Sequence, residues 1–440
     1  MTAWLARWLG PLLLVSLWGL SAPASLLRRL GEHIQQFQES SAQGLGLSLG
    51  PGAAALPKVG WLEQLLDPFN VSDRRSFLQR YWVNDQHWVG EDGPIFLHLG
   101  GEGSLGPGSV MRGHPAALAP AWGALVISLE HRFYGLSIPA GGLEMAQLRF
   151  LSSRHALADV VSARLALSRL FNVSSSSPWI CFGGSYAGSL AAWARLKFPH
   201  LIFASVASSA PVRAVLDFSE YNDVVSRSLM STAIGGSLEI VLHSLGQKCL
   251  SFSRAETVAQ LRSTEPQLSG VGDRQWLYQT CTEFGFYVTC ENPRCPFSQL
   301  PALPSQLDLC EKVFGLSALS VAQAVAQTNS YYGGQTPGAS QVLFVNGDTD
   351  PWHVLSVTQA LGSSESALLI RTGSHCLDMA PERPSDSPSL RLGRQAGYLD
   401  WQQLVQDIAK DSTSSSAQGG DEDVLVARRE PYSPRNQNCA

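Results

Sequence analysis

Residues 179–188 read WICFGGSYAG, and this stretch decides the expected fold. An apolar run that ends in glycines is typical of a buried strand entering a tight turn, and residues 189–198 have the composition of a helix. In a strand-to-helix elbow, the residues two before and two after the tip must be small, and here they are Gly183 and Ala187. The pattern therefore predicts a strand, an elbow with Ser185 at its tip, and a helix.

Other short apolar runs flank this elbow, and residues 157–170 carry apolar side chains at helical spacing. The apolar runs cover residues 94–99, 124–129, 202–206, 342–345 and 367–370. Strands that alternate with helical segments favour a mostly parallel, doubly wound α/β sheet. With the elbow between a strand and a helix, the chain is predicted to adopt the α/β-hydrolase fold.

A long insertion divides the predicted core. Residues 55–215 and 336–410 are assigned to the α/β-hydrolase core. Residues 216–335 are assigned to a cap insertion, because this cysteine-containing and partly proline-rich stretch lacks the strand and helix rhythm of its flanks. Residues 411–440 are rich in Ser, Gly, Asp and Arg and are predicted to form a disordered tail.

Residues 1–24 have the pattern of a secretory signal peptide. Arg7 precedes an apolar run over residues 9–20, which is shorter than the ~20 residues of a membrane-spanning helix, and a small-residue cleavage site follows. The sequons at Asn70 and Asn172 agree with N-glycosylation in the secretory pathway. No later segment is long and apolar enough to span a membrane, so we expect no span in the mature chain.

Composition narrows the class of partner. The 440 residues include 45% hydrophobic and 15% charged residues, enough for a large core, and the net charge is only −5. Without a long basic run, no nucleic-acid partner is expected, and peptide substrates fit better. No spacing of His and Cys resembles a zinc site, so no metal or other cofactor is expected. The oligomeric state is left open, with a homodimer among the alternatives.

Ser185 is the candidate nucleophile, but the motif alone is weak because loops rich in Gly and Ser are frequent. A serine hydroxyl needs a base to take its proton and backbone N–H groups to hold the oxyanion. The N–H of Tyr186 follows the serine, and a second N–H could come from the Gly-rich loop at residues 100–103, with Gly101 as the candidate.

Acidic and basic candidates follow two later strands, in the chain order Ser, Asp, His of α/β-hydrolases. Asp348 and Asp350 both follow one strand, and the residues alone do not choose between them, since an Asp before proline often forms a turn or caps a helix. His375 follows the last strand, which favours it over His353. Cys376 lacks an elbow, which argues against a thiol nucleophile.

Four ordered motifs resemble the lysosomal Pro-Xaa carboxypeptidase family, that of prolylcarboxypeptidase and dipeptidyl peptidase II. They are EHRFYG at 130–135, GGSYAG at 183–188, DPW at 350–352 and GSH at 373–375. The resemblance covers roughly residues 55–239 and 245–395 of this chain. It implies an α/β-hydrolase with a helical cap that acts as a serine exopeptidase next to proline.

The resemblance also implies the role of each site residue. Ser185 is the nucleophile and His375 the base, and Asp350 is the acid because it occupies the Asp-Pro-Trp position. A disulfide between Cys281 and Cys310 is implied, which leaves Cys249 and Cys290 without expected partners. Endosomal, lysosomal or other vesicles are the implied location, with secretion as the alternative.

This chain departs from the family pattern in three places. Cys376 and Ala380 stand where members often carry His and Arg. The cap looks shortened near residues 239/240, and the ending after about Gln395 is unfamiliar; together these suggest a splice form. The alternatives to an active peptidase are a catalytically impaired secretory glycoprotein and an esterase on the same fold.

Overall fold

A computed structural model of the chain describes residues 57–230, 253–266, 271–291, 295, 302–362 and 364–397. The predicted signal peptide (1–24), the predicted cap junction (239/240) and the predicted tail (411–440) lie outside the described residues.

An eight-stranded sheet forms the centre of the fold. Its strands are β1 (Lys58–Leu65), β2 (Ser76–Asn84), β3 (Ile95–Leu99), β4 (Leu125–Leu129), β5 (Trp179–Gly184), β6 (Ala204–Ser208), β9 (Val342–Gly347) and β10 (Glu365–Ile370). They lie in the order β1-β2-β4-β3-β5-β6-β9-β10. Strands β1 and β2 pair in antiparallel fashion, as do β2 and β4, and every other pair is parallel. The predicted mostly parallel sheet is confirmed.

The strand order reverses between β3 and β5. Chain segments after β3 add β4 on one side, whereas segments after β5 add β6, β9 and β10 on the other. Open α/β sheets bind their ligands at such a switch point, beyond the carboxyl ends of the strands. The elbow after β5 and the glycine-rich loop after β3 both lie there.

Helices connect and cover the strands. They are α1 (His114–Trp122), α2 (Met145–Leu148), α3 (Ser153–Leu170), α4 (Tyr186–Lys197), α5 (Glu220–Met230), α6 (Arg254–Arg262), α7 (Asp273–Gln279), α8 (Leu303–Phe314) and α9 (Ala318–Tyr332). A π-helical turn, Thr280–Phe284, extends α7, and 3-10 turns form at Pro107–Val110, Pro351–Leu355 and Leu377–Met379. A small parallel pair, β7 (Val215–Asp217) and β8 (Gly285–Tyr287), completes the described elements.

Helix α4 is the best buried helix of the core. Small residues let it lie close to β5 and β6, and most of its side chains are buried. Trp193 of α4 stacks on Tyr332 of α9, with ring centroids 3.9 Å apart and planes 10° apart. The helix that begins at the elbow is therefore packed between the sheet and the inserted segment.

Strand β2 and the inserted segment do not appear in the sequence as continuous apolar runs. Strand β2 alternates, with Phe77, Tyr81 and Val83 buried, but the equally buried Gln79 interrupts the apolar pattern. Gln79 bonds to Gln64 of β1 at 2.8 Å, so a polar pair lies inside the sheet. The inserted segment lacks the alternation of strands and helices seen in its flanks, and it forms helices α5 to α9 over its described residues.

The cysteine pairing differs from the expectation at one position. Cys281 is bonded to Cys310, which joins the π-helical turn to α8. Cys290, expected to lack a partner, is bonded to Cys295. The expectation for Cys290 was wrong because a separation of five residues is enough to bring two cysteines together, here with Cα atoms 5.5 Å apart. Cys249 lies outside the described residues.

In the parts of the chain that the structure describes, no single helix is long and apolar enough to span a bilayer. Helices α8 and α9 meet the length and composition criteria only as a pair, and they are bent by 100° relative to each other.

Candidate active site

Ser185 occupies a sharp turn between β5 and α4. Its φ is 58° and its ψ is −131°, a conformation that costs a non-glycine residue on the order of 1–3 kcal/mol. The Ser185 N–H donates to Ser208 O of β6 at 2.9 Å, which fixes the turn to the neighbouring strand. A Cβ on Gly183 would lie 2.1 Å from Ala187 O, so only glycine fits there.

The glycine-rich loop after β3 lies against the elbow. Gly100 N–H donates to Leu129 O at 2.8 Å and is therefore engaged in the sheet. Gly101 is the next residue, and a Cβ built on it would be 3.4 Å from both the N and the Cβ of Ala187. Tyr186 is the first residue of α4. Both backbone amides predicted for the oxyanion therefore belong to residues at the switch point.

Asp350 and His375 meet beyond the ends of β9 and β10. His375 Nδ1 and Asp350 Oδ2 are 2.9 Å apart, and Asp350 is fully buried. Asp350 Oδ1 accepts the N–H of Trp352 at 3.0 Å, so both carboxylate oxygens have a partner. The buried carboxylate thus holds the imidazole ring by Nδ1, and Nε2 is not bonded to it.

Close backbone contact brings the two loops together. Thr349 donates its N–H and its hydroxyl to Gly373 O, at 3.1 and 2.6 Å. A Cβ on Gly347 would lie 2.1 Å from the same carbonyl oxygen. Asp348 Oδ1 accepts the N–H of Thr372 at 2.6 Å and so stabilises the turn after β10. Of the two candidate acids, only Asp350 contacts the histidine.

His353 is occupied elsewhere. Its Nδ1 lies 2.5 Å from the backbone oxygen of Asp350, inside the 3-10 turn. Among the hydrogen bonds of the described residues, none joins Ser185 to His375. Catalytic hydrogen bonds are often long without substrate and tighten when the substrate binds. The missing hydrogen bond is therefore compatible with Ser185 and His375 acting as nucleophile and base.

The charge of Asp350 raises the pKa of the His375 imidazole. Burial lowers the pKa of His375, but the charge of Asp350 and contact with Cys376 outweigh it and hold this pKa well above its usual range. The Cys376 N–H donates to Ser209 Oγ at 2.9 Å, and its Sγ lies beside Gly184, where an added Cβ would be 2.9 Å away. Cys376 is unbonded to other cysteines and partly exposed.

A buried chain of polar side chains joins the elbow to the inserted segment, and the residue pattern does not predict it. His131 Nδ1 donates to Arg132 O at 2.7 Å, which leaves Nε2 to accept the Tyr186 hydroxyl at 3.0 Å. Gln279 of α7 donates to the Tyr186 oxygen at 2.9 Å and accepts from Tyr134 at 2.6 Å. Burial lowers the pKa of His131 to about 4, so its ring is neutral.

Two buried ion pairs explain the charged residues of the EHRFYG motif. Glu130 bonds to Arg80 at 2.6 Å and accepts the N–H of Leu105 at 3.0 Å. Arg132 bonds to Asp159 of α3 at 2.6 Å, with both side chains almost fully buried. The charged side chains of this motif therefore have a structural role, because they position the loops around the elbow.

Both sequon asparagines are exposed. Asn70 lies in the turn between β1 and β2, and Asn172 follows α3. The side-chain amide of Asn172 donates to Glu91 on an adjacent loop. Within the described residues, no group of three or more His, Cys, Asp or Glu side chains could hold a metal ion.

Comparison with known proteins identifies the family. The serine carboxypeptidase S28 family profile matches residues 64–239 and 234–396. The chain belongs to this family. This S28 protein is therefore a serine-type peptidase, and its sheet and elbow are those of the α/β-hydrolase fold.

Its relatives differ widely in similarity. The human thymus-specific serine protease is 76% identical over 509 aligned positions, covering 94% of this chain and 99% of the human one. The mouse lysosomal Pro-X carboxypeptidase is 24% identical, covering 78% and 88%. A bacterial heroin esterase of known structure is 14% identical, with a TM-score of 0.41, and the match covers 83% and 90%. Since 509 positions exceed the 440 residues here, the human relative has residues without a counterpart in this chain.

Proposed function

We propose that this S28 peptidase hydrolyses peptide bonds through an acyl-enzyme, with Ser185 as nucleophile, His375 as base and Asp350 as the orienting acid. The observation that carries the proposal is the 2.9 Å hydrogen bond between His375 Nδ1 and the fully buried Asp350. Only a base fixed in this way presents its second nitrogen reproducibly to a hydroxyl.

The reaction proceeds in two halves. Asp350 accepts a hydrogen bond from Nδ1–H, so His375 Nε2 takes the proton of Ser185 as the hydroxyl attacks the scissile carbonyl. The negative oxygen that forms is held by the backbone N–H groups of Tyr186 and Gly101. The imidazolium then protonates the leaving amine, and water, activated by the same His375, releases the acyl group.

The finer assignment is an exopeptidase that acts near proline in endosomal or lysosomal vesicles. The 24% identity to a protein named lysosomal Pro-X carboxypeptidase supports the substrate and the compartment. The 76% identity to a human thymus-specific serine protease supports a role in thymic peptide processing during T-cell development. The exposed Asn70 and Asn172 are proposed glycosylation sites within that route.

The domain proposal is a hydrolase core with a shortened cap. The family profile matches in two segments that meet between residues 234 and 239, and the human relative has additional residues. Both findings support a deletion near 239/240. A shortened cap would alter which substrates enter, while the three proposed catalytic residues all lie outside the cap.

Labelling with a fluorophosphonate probe tests the proposed chemistry. The purified chain is expected to be labelled, the Ser185→Ala variant is expected to remain unlabelled, and His375→Ala is expected to react at least about 10³-fold more slowly. Labelling that persists in Ser185→Ala would contradict the assignment, and no labelling of the folded wild type would favour the impaired glycoprotein. Cleavage of short acyl esters without cleavage of proline peptides would favour the esterase.

A further inference from the structure

Ser208, the last residue of β6, contacts both halves of the candidate site. Its backbone oxygen accepts the N–H of Ser185 at 2.9 Å, and its hydroxyl donates to Asp378 Oδ1 at 2.5 Å. Asp378 lies three residues after His375, in the segment of residues 371–379 that follows β10 and is called the base loop below. One buried serine therefore joins the turn of the nucleophile to the loop of the base.

The next residue along the chain makes a second contact with the base loop. Ser209 Oγ accepts the N–H of Cys376 at 2.9 Å, and the Ser209 N–H donates to Val345 O of β9 at 2.7 Å. The end of β6 thus holds the base loop at two points, although β9 lies between β6 and β10 in the sheet.

The backbone of the base loop has separate support. Arg394 donates from Nε to Asp378 O at 3.0 Å and from a terminal nitrogen to Leu377 O at 2.8 Å, and it forms an ion pair with Asp386 at 2.5 Å. The Asp378 carboxyl group is instead bonded to Ser208. Asp378 and Ser208 are 6% and 0% exposed, so water competes little for this hydrogen bond.

The hydrogen bond between Asp350 and His375 orients the imidazole ring but does not set its distance from the nucleophile. Ser185 follows β5 and His375 follows β10, so their separation depends on how the two loops are held. A misplacement of about 1 Å can cost about 10²-fold in rate. A residue that is bonded to both loops, as Ser208 is, limits such a displacement.

We propose that Asp378 is a positioning residue, which holds the base loop at a fixed distance from Ser185 through the hydroxyl group of Ser208. This inference rests on the proposed function, in which Ser185 and His375 are nucleophile and base. Among the described residues, the Asp378 side chain is hydrogen-bonded to Ser208 and to neither of those two groups. Its loss should therefore slow the chemistry and leave the binding of substrate in place.

Ser208→Ala is the primary test because it removes only the hydroxyl group. The rate of fluorophosphonate labelling, which depends on Ser185 and His375 together, is expected to fall about tenfold or more. Ser205→Ala is the matched control, because Ser205 is a fully buried residue of the same strand whose hydroxyl donates to Ala191 O of α4 at 2.7 Å. Its labelling rate is expected to change less than about twofold.

Variants of Asp378 test the acceptor. Burial raises the pKa of Asp378 to about 6, and the neutral carboxyl group still has a carbonyl oxygen that accepts a hydrogen bond. Asp378→Asn keeps such an oxygen and is expected to be labelled within about threefold of the wild-type rate, whereas Asp378→Leu is expected to lose as much as Ser208→Ala.

The double variant Ser208→Ala, Asp378→Leu tests whether the two side chains act through one contact. The two losses should not multiply, because each substitution removes the same hydrogen bond. Multiplying losses, or equal rates for Asp378→Leu and Asp378→Asn, would overturn the inference. Should Asp378→Leu fail to fold, the rate of Ser208→Ala relative to Ser205→Ala decides the outcome.

Measurements of folding and binding separate positioning from a general structural role. Urea denaturation gives the folded fraction of each variant, and calorimetry on Ser185→Ala, with and without Ser208→Ala, measures the affinity for a peptide that the wild type cleaves. The affinity is expected to change less than about twofold. A parallel loss of affinity and labelling would overturn the inference.

The labelling rates also keep this inference apart from the proposed function. A wild-type rate in folded Ser208→Ala would overturn the role of Asp378 and leave the proposed chemistry intact. Absence of labelling in the folded wild type would overturn the proposed chemistry and the positioning role with it.

Discussion

At the scale of single residues, the contact between Asp350 and His375 controls the pH dependence of activity. Burial lowers the pKa of His375, but the charge of Asp350 raises this pKa by a larger amount. The ring is therefore protonated over a wider pH range than a free histidine. Because catalysis needs the neutral ring, kcat/KM falls as the pH drops through this pKa.

The variant Asp350→Asn is expected to move this acid limb to lower pH, because the charge that raises the pKa of His375 is removed. Its kcat should fall about 10⁴-fold, since the histidine loses its orienting acceptor. A profile of kcat/KM against pH measures both effects. Asp348→Asn, two residues away, is the control and should leave the limb in place; an unmoved limb in Asp350→Asn would refute the assignment.

Residue types and their positions predict only part of the candidate site. They select Ser185 and His375 by their position after strands, but they leave Asp348 and Asp350 equal. The two differ in direction, which the turn after β9 decides: one carboxylate caps the Thr372 N–H, the other reaches His375.

At the scale of elements, the π-helical turn brings a carboxylate to the start of α3. Glu283 accepts the N–H of Ser153 at 2.9 Å and its hydroxyl at 2.6 Å, and burial raises its pKa from 4.5 to about 7. Between these values the folded state binds more protons than the unfolded state, so this group's contribution to stability is lost as the pH rises.

Glu283→Gln is expected to remove that dependence. Relative to the wild type, the variant should gain up to about 3 kcal/mol in the free energy of unfolding between pH 4.5 and 7. Urea denaturation followed by tryptophan fluorescence at both pH values gives this difference. The exposed Glu311→Gln should show no such trend. A constant difference between Glu283→Gln and the wild type would mean that the group does not titrate in this range.

The elements that the sequence predicts share one physical property. Strands β3 to β6 and β9 are buried in the parallel part of the sheet and therefore read as apolar runs. Strands β1 and β2 pair in antiparallel fashion at one edge, and exposed apolar residues such as Trp61 and Leu78 obscure their inward pattern. The packing of Trp193 on Tyr332 joins positions far apart in sequence and has no local signal.

At the scale of the whole molecule, the two disulfides seen among the described residues constrain the unfolded chain unequally. Cys281 and Cys310 are 29 residues apart, whereas Cys290 and Cys295 are five apart. In the chain-entropy description, the first bond contributes about 3.5 kcal/mol and the second about 2 kcal/mol.

Replacing both cysteines of one pair by alanine tests this ranking. The Cys281→Ala, Cys310→Ala variant is expected to lose more free energy of unfolding than the Cys290→Ala, Cys295→Ala variant, by roughly 1.5 kcal/mol. Chemical denaturation of the non-reduced proteins gives the comparison. An equal or reversed loss would show that local contacts of the short loop, rather than chain entropy, dominate its contribution.

The overall class follows from the order of the motifs along the chain, because parallel strands bring their carboxyl ends to one edge wherever they stand in sequence. The arrangement of the inserted segment does not follow in this way. Its attachment depends on the contacts of Tyr186 with Gln279 and of Glu102 with Gly272, each spanning more than ninety residues.

The positive φ of Ser185 sets two selective pressures against each other at one codon. Glycine adopts this backbone conformation without the steric cost that serine carries, so selection for folding alone favours glycine. Only the need for a hydroxyl at the tip of the turn retains serine. Laboratory evolution that screens for heat tolerance without an activity readout would therefore tend to discard the group on which the proposed chemistry depends.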